Sequence, residues 1–371
     1  MTLKVVAIMN NKWLSPRAVF VCLLLSGVVH ASTMVTRDPI EQPALMSALS
    51  PTTQLTDIAR AGERLVAVGW RGHIVYSDDS GVNWRQAAVP VSSDLTAVHF
   101  PSAKQGWAVG HGGVILYSSD GGGSWVKQQD GNSTKELMAA YYQAHLQRAS
   151  EQDRPRAEQL LGDVDLNYGT GPEQPWLDVW FADELHGYVV GTFNLIMETR
   201  DGGRNWTPLM ERVDNPEAQH LAAIAAVDGD LYLASERGTV FRRKQGDGHF
   251  VPLSTGYGGS FFGVAGEGGL ILAYGLRGNV YRSADKGENW TRIDTGLQAA
   301  LTGGTVLQDG RIVLASQGGT LLVSDSGATA FTAVRPERSW PFANLQVTAD
   351  GRLAIVGTHG VQLETMPAPG S

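Results

Sequence analysis

The chain has 371 residues, 45 of them glycine, with 18% charged positions and a formal net charge of −8. So much glycine excludes a helical bundle, because each one costs about 1 kcal/mol in a helix interior. Ten tryptophans exclude a disordered chain. The acidic balance, with a pI near 5.6, excludes broad binding to nucleic acid or to an anionic lipid surface.

Residues 1–31 read as a secretory signal peptide. Lys4, Lys12 and Arg17 precede the apolar run from Ala18 to Val29, and Val29-His30-Ala31 supplies a small-x-small ending. The run is shorter than the about twenty residues that span a bilayer comfortably, and the alternative reading is an uncleaved N-terminal anchor. Cys22 is the only cysteine and lies inside it. The mature chain is therefore expected to hold no disulfide, thiolate nucleophile or cysteine metal site.

From residue 55 onward one unit repeats with a period of about 40 residues. Residues 95–130, LTAVHFPSAKQGWAVGHGGVILYSSDGGGSWVKQQD, show it best. Each copy holds four short apolar runs separated by glycine turns, which read as four strands. Six complete units and a truncated seventh, residues 342–367, predict an all-β fold: a seven-bladed propeller of four-stranded blades over residues 38–367. The last unit lacks its outer run. We expect residues 38–52 to close the ring as the outermost strand of the last blade, since an open edge would stay unpaired.

Four units carry the pattern [ST]-x-D-x-G-x-x-W. They contain Asp79 and Trp84, Asp120 and Trp125, Asp201 and Trp206, and Asp285 and Trp290. This is the Asp-box, or BNR repeat, of sialidases and related propellers. The carboxylate is expected to accept backbone N–H bonds in the turn between third and fourth strands, and the tryptophan to bury between blades. One carboxylate repeated around a ring leaves no pair able to share a substrate, so these residues read as structural. No HExxH, GxSxG or phosphate-loop motif is present. We name no catalytic residue, metal ligand or cofactor. The alternative is a carbohydrate-active enzyme of the Asp-box type, whose paired carboxylates the sequence does not supply.

The run VGxxGxIxYSxDGGxxW, seen at Val109 to Trp125, and GWAVG at Gly106 to Gly110 are more specific than the box. With the leader and seven units they resemble the photosystem II stability/assembly factor family over residues 52 to about 367. The resemblance implies an exported, non-enzymatic propeller of the periplasm or thylakoid lumen, which holds a newly made reaction-centre subunit through an arginine-rich patch. This chain departs from it in being acidic and in carrying an insertion between the second and third blades. Where the host is not photosynthetic, an envelope permease replaces the reaction-centre subunit as expected membrane partner. The chain is expected to be a monomer with no nucleic-acid partner.

Aligning the units places one turn, between second and third strands, at matched positions. Its tips include Trp70, Arg71, His111, Phe193, Arg237, Arg277 and His359. These predict an aromatic and cationic rim around the channel mouth, a composition suited to binding hot spots. The run Arg242, Arg243, Lys244 reads as a solvated edge. The insertion, residues 131–175, shows helical spacing at Leu137, Tyr141 and Ala144, with Ser133 or Thr134 as cap. A second short helix is expected from Arg156 to Leu161, followed by loop. The pair is expected to cover part of the channel mouth.

Overall fold

The computed structural model describes residues 38–365. The expected signal peptide and the end of the last unit lie outside them. Twenty-seven strands form seven sheets, each antiparallel and in sequence order from the inside out. Six sheets have four strands and the last has three. Inner strands such as Leu55–Ala61 and Leu95–His99 border the channel; outer strands are short, down to Arg85–Gln86 in blade 1.

Burial explains the strand pattern. Second strands read as continuous apolar runs because both faces are covered by neighbouring blades: GWAVG, Gly106–Gly110, is buried throughout. Trp107 stacks on Phe181 of blade 3 with ring centroids 3.6 Å apart and planes 9° from parallel. Its indole N–H donates to Gln128 Oε1 at 3.1 Å.

Inner strands are joined blade to blade by side chains near a bulge. Every inner strand shifts register around its second residue. The hydroxyls of Thr56, Thr96 and Thr302 donate to the first inner carbonyl of the next blade, at 2.6, 2.7 and 2.9 Å. Asp57 Oδ2 accepts from Val98 N of blade 2 at 2.7 Å, and Asp178 Oδ2 accepts from Ile224 N of blade 4 at 2.8 Å. Asn344 of the last blade donates to Asp57, which ties the ring across its seam.

The expected closing strand is not there. Residues 38–52 hold only two single-turn helices, Pro39–Glu41 and Ser50–Thr52, and the last sheet stays three-stranded among the described residues. Pro39, Pro43 and Pro51 lack the N–H groups a ladder needs. The segment instead runs along blade 1, where Ala44 N donates to Val89 O at 3.0 Å and Ser92 N donates to Pro39 O at 2.8 Å. Only its end at Pro51 and Thr52 packs against Gly360 of the last blade, without pairing as a strand.

The insertion forms two helices, α1 (Gly131–Arg148) and α2 (Arg154–Tyr168). The cap of α1 is Asp130, whose carboxylate accepts from Asn132 N and Ser133 N while Ser133 Oγ takes Asp130 N, a capping box. Helix α2 runs seven residues past the expected end at Leu161, because Leu160, Val164 and Tyr168 lie on one buried face. The hairpin packs on blade 3: Tyr142 Oη accepts from Met210 N at 2.7 Å, and Tyr141 and Tyr142 donate to Glu211. None of its residues is in the channel wall. The ends of the insertion meet the tips instead, where Gly131 lies against Gly113 and Gln174 Oε1 accepts from the Thr192 hydroxyl at 2.8 Å.

The basic run is also different from expectation. Arg242 is buried and grips Asp230 at 2.7 Å, with Glu288 at 3.1 Å. Arg243 lies 4.8 Å over Tyr188 and 5.2 Å over Phe250. Of the three, only Lys244 is exposed. Burial of these stems against aromatic rings uses their apolar length as well as their charge.

Candidate partner-binding face

The second strand of each blade ends beside the start of that blade's inner strand. Trp70 N donates to Gln54 O (3.1 Å), His111 N to Asp94 O (2.8 Å), Leu276 N to Ser260 O (3.0 Å), Gln317 N to Ala300 O (2.9 Å) and Thr358 N to Pro341 O (3.2 Å). Each accepting residue directly precedes an inner strand. The tips therefore share one face, where the inner strands enter the channel wall.

Consecutive tips are linked. Asp94 accepts from Arg71 N through Oδ1 at 2.7 Å and from His111 N through its carbonyl, which joins the tips of blades 1 and 2. His220 accepts from Phe193 N at 2.9 Å and donates its own N–H to Glu236 Oε2 at 3.0 Å, joining blades 3 and 4. Arg237 pairs with Glu217, while Arg71 and Arg277 have no carboxylate partner among the described residues. Trp70, Phe193 and Leu276 are exposed apolar side chains on the same tips. His359 is exposed at the seventh tip, 5.4 Å from the Trp340 ring.

Arg71, Phe193, Arg237 and Arg277 all sit at φ between 51° and 57°. Left-handed backbone costs a non-glycine residue about 1 kcal/mol, and blade 2 uses Gly112 there. Four blades accept that cost with a large side chain at the tip, as Ser80 and Lys286 accept it in two of the box turns.

The boxes lie on the other face, between third and fourth strands. Ser77 Oγ donates to Asp79 Oδ1 at 2.8 Å and accepts from Gly81 N at 2.9 Å; Asp79 Oδ1 accepts from Asn83 N at 2.8 Å. The same bonds recur at Asp120, Asp201 and Asp285. Bonds from the Asn83 backbone and side chain hold the Asp79 carboxyl at about 2. All of these carboxylate bonds are spent inside the turn. Trp125 packs in a cluster joining blades 1 and 2, and Trp206 in one joining blades 2, 3 and 4 and the insertion. Trp84 and Trp290 are half-buried at the preceding blade seams.

Sequence reading missed the channel wall. Burial pushes Asp178 up to about 7 against the bonds from Ile224 and Val179, and pushes Asp57 up to about 6. His99, lowered by burial to about 4, is neutral and accepts from Phe181 N of blade 3 at 3.2 Å. A carboxyl raised in the fold contributes fully below its unfolded value near 3.8, and that contribution is lost as pH rises through the folded value. Each tenfold change in proton affinity is worth about 1.4 kcal/mol, and Asp178 borders the open channel. Asp178→Asn is thus expected to gain about 2 kcal/mol on the wild type between pH 4 and pH 8. Denaturant melts at both pH values read this, and a flat difference would remove Asp178 from the account. Among the described residues no group of three or more His, Cys, Asp or Glu is placed to hold a metal.

The family model described as photosynthesis system II assembly factor YCF48 matches residues 164–367, more than half of the chain. The chain belongs to this family. It is 25% identical over 232 residues to the photosystem II assembly lipoprotein Ycf48 of Synechococcus sp. (strain CC9902), covering 57% of this chain and 68% of that one. It is 25% identical over 188 residues to the photosystem II assembly protein Ycf48 of Thermosynechococcus vestitus, covering 50% and 54%. The matches thus span from about half to two thirds of these curated relatives. Among solved structures, a YCF48 bound to D1 peptide superposes with a TM-score of 0.62 at 15% identity, over 88% of this chain and 99% of that one. YCF48 from Cyanidioschyzon merolae gives 0.60 at 16% identity, over 88% and 98%. The likeness to these structures is one of fold.

Proposed function

We propose that this chain is an exported, non-catalytic scaffold whose tip face binds a segment of a membrane protein during its assembly. The observation that carries the proposal is the rim itself: Arg71, Arg237 and Arg277 at one repeated left-handed position, next to exposed Trp70 and Phe193. Such a rim suits a peptide that offers a carboxylate and apolar side chains, because guanidinium groups bind carboxylates bidentately and aromatic tips bury apolar area. A family relative is named as bound to D1 peptide, and by that analogy the partner is a reaction-centre subunit. The tips are tied to one another through Asp94 and His220, so binding costs little ordering of the scaffold.

Replacing Arg71, Arg237 and Arg277 together by alanine is expected to weaken capture of the partner from solubilised membranes at least tenfold. Wild-type binding should weaken with salt, and the variant's thermal melt should match the wild type. Unchanged capture would remove the arginine rim. Release of sugar from a glycan panel by the purified protein would remove the scaffold reading altogether.

A further inference from the structure

Leu45, Met46 and Leu49 are 81%, 63% and 68% exposed, and all three lie on one loop along blade 1. The loop is built, not loose. Gln86 binds it twice, accepting from Ser47 N at 2.7 Å and donating to Leu45 O at 3.0 Å. Leu49 O accepts from Thr52 N at 2.9 Å and from its hydroxyl at 2.8 Å. Ile40 and Ala44 of the same segment point inward and are buried. The backbone is held to the blade while three large apolar side chains stand exposed, uncovered by any of the described residues.

The chemistry of the stretch narrows what covers it. No charged residue occurs between Glu41 and Asp57, in a chain with 18% charged positions. The stretch itself therefore offers a partner no charge to pair with. Residues 30–37 separate the apolar run ending at Val29 from Asp38. Extended chain of that length spans about 30 Å at most. While the run is held in a bilayer, Asp38 and the loop after it are tethered near the membrane surface, which raises the loop's effective concentration there.

We propose that Leu45, Met46 and Leu49 insert into the headgroup–acyl boundary of a lipid bilayer, as a second membrane contact beside the N-terminal apolar run. A single apolar signal attaches weakly and two attach stably. After cleavage at Ala31 the loop alone remains and holds less firmly. This inference goes beyond the partner reading above and rests on a different part of the surface.

The test uses the full chain in a Cys22→Ser background, with a nitrobenzoxadiazole probe on Met46→Cys. A control probe sits on Leu166→Cys, at an exposed position of α2. Both are reconstituted with phosphatidylcholine vesicles, with and without brominated acyl chains. The probe at 46 is expected to shift to the blue and lose at least half its emission to bromine, unchanged by 1 M salt, while the probe at 166 is unaffected. The exported form of a Leu45→Ser, Met46→Ser, Leu49→Ser variant is expected to float with vesicles at least fivefold less than the wild type, with an unchanged melt. Absence of quenching at 46, equal quenching at both positions, or release by salt would overturn the proposal. So would a blue shift that rises with protein concentration and ignores lipid, which would assign the patch to a second copy of the chain.

Discussion

Trp107→Ala is expected to destabilise the propeller by about 4 kcal/mol, in the range for emptying a buried tryptophan site. The ring is fully buried and stacked on Phe181 across the seam between blades 2 and 3. Its removal leaves a cavity at that seam and frees Gln128 Oε1 from the indole N–H. Gln128 also donates to Gly202 O at 2.9 Å, so the loss extends to the box turn of blade 3. Trp107→Phe should lose less than half as much, because it keeps part of the stack. Trp70→Ala, at an exposed tip, should stay within about 0.5 kcal/mol. Chemical denaturation of the three variants measures this. A Trp107→Ala loss near that of Trp70→Ala would show that the seam does not depend on the stack.

Gly110→Ala is expected to cost about 3 kcal/mol, at the upper end for forcing a group into a packed site. The reason is space, not dihedral freedom, since Gly110 has φ 179, which any residue adopts. A Cβ there would lie 2.2 Å from Asp94 O and 2.7 Å from Leu95 Cα. Backbone must move, and the backbone in question carries Asp94, which holds the tips of blades 1 and 2. The variant should therefore lose both stability and affinity at the rim. Gly351→Ala is the contrast: φ is +84 and no atom lies within 4 Å of the added carbon. Its cost should be about 1 kcal/mol, from left-handed backbone alone. Equal costs at the two positions would refute the close-approach account of Gly110. The same approach recurs at Gly69, Gly275 and Gly357, at 2.3, 2.4 and 2.2 Å from the facing carbonyl.

Seven blades and the boxes were legible in the amino-acid order because both are local and periodic. A box closes within eight residues through its own Ser or Thr, Asp and backbone N–H groups, so its spacing alone specifies the turn. The helical insertion was legible for the same reason, and the burial of Val164 and Tyr168 explains where its second helix ran longer than expected. The tip positions followed from aligning repeats, though the residues tying them together, Asp94 and His220, carried no periodic signal.

What only the tertiary structure decided is whatever one blade does to another. Asp57 and Asp178 look like ordinary polar residues at strand starts, and become buried inter-blade acceptors only when Val98 and Ile224 arrive from the next repeat. Arg242 and Arg243 read as a solvated charge run until Asp230, Tyr188 and Phe250 surround them. The path of residues 38–52 depends on Val89 and Gln86, more than thirty positions away. Periodicity reports how a segment pairs with its immediate neighbours along the chain. It carries no record of what one blade places against the next, and those contacts set the seam, the channel wall and the exposed loop.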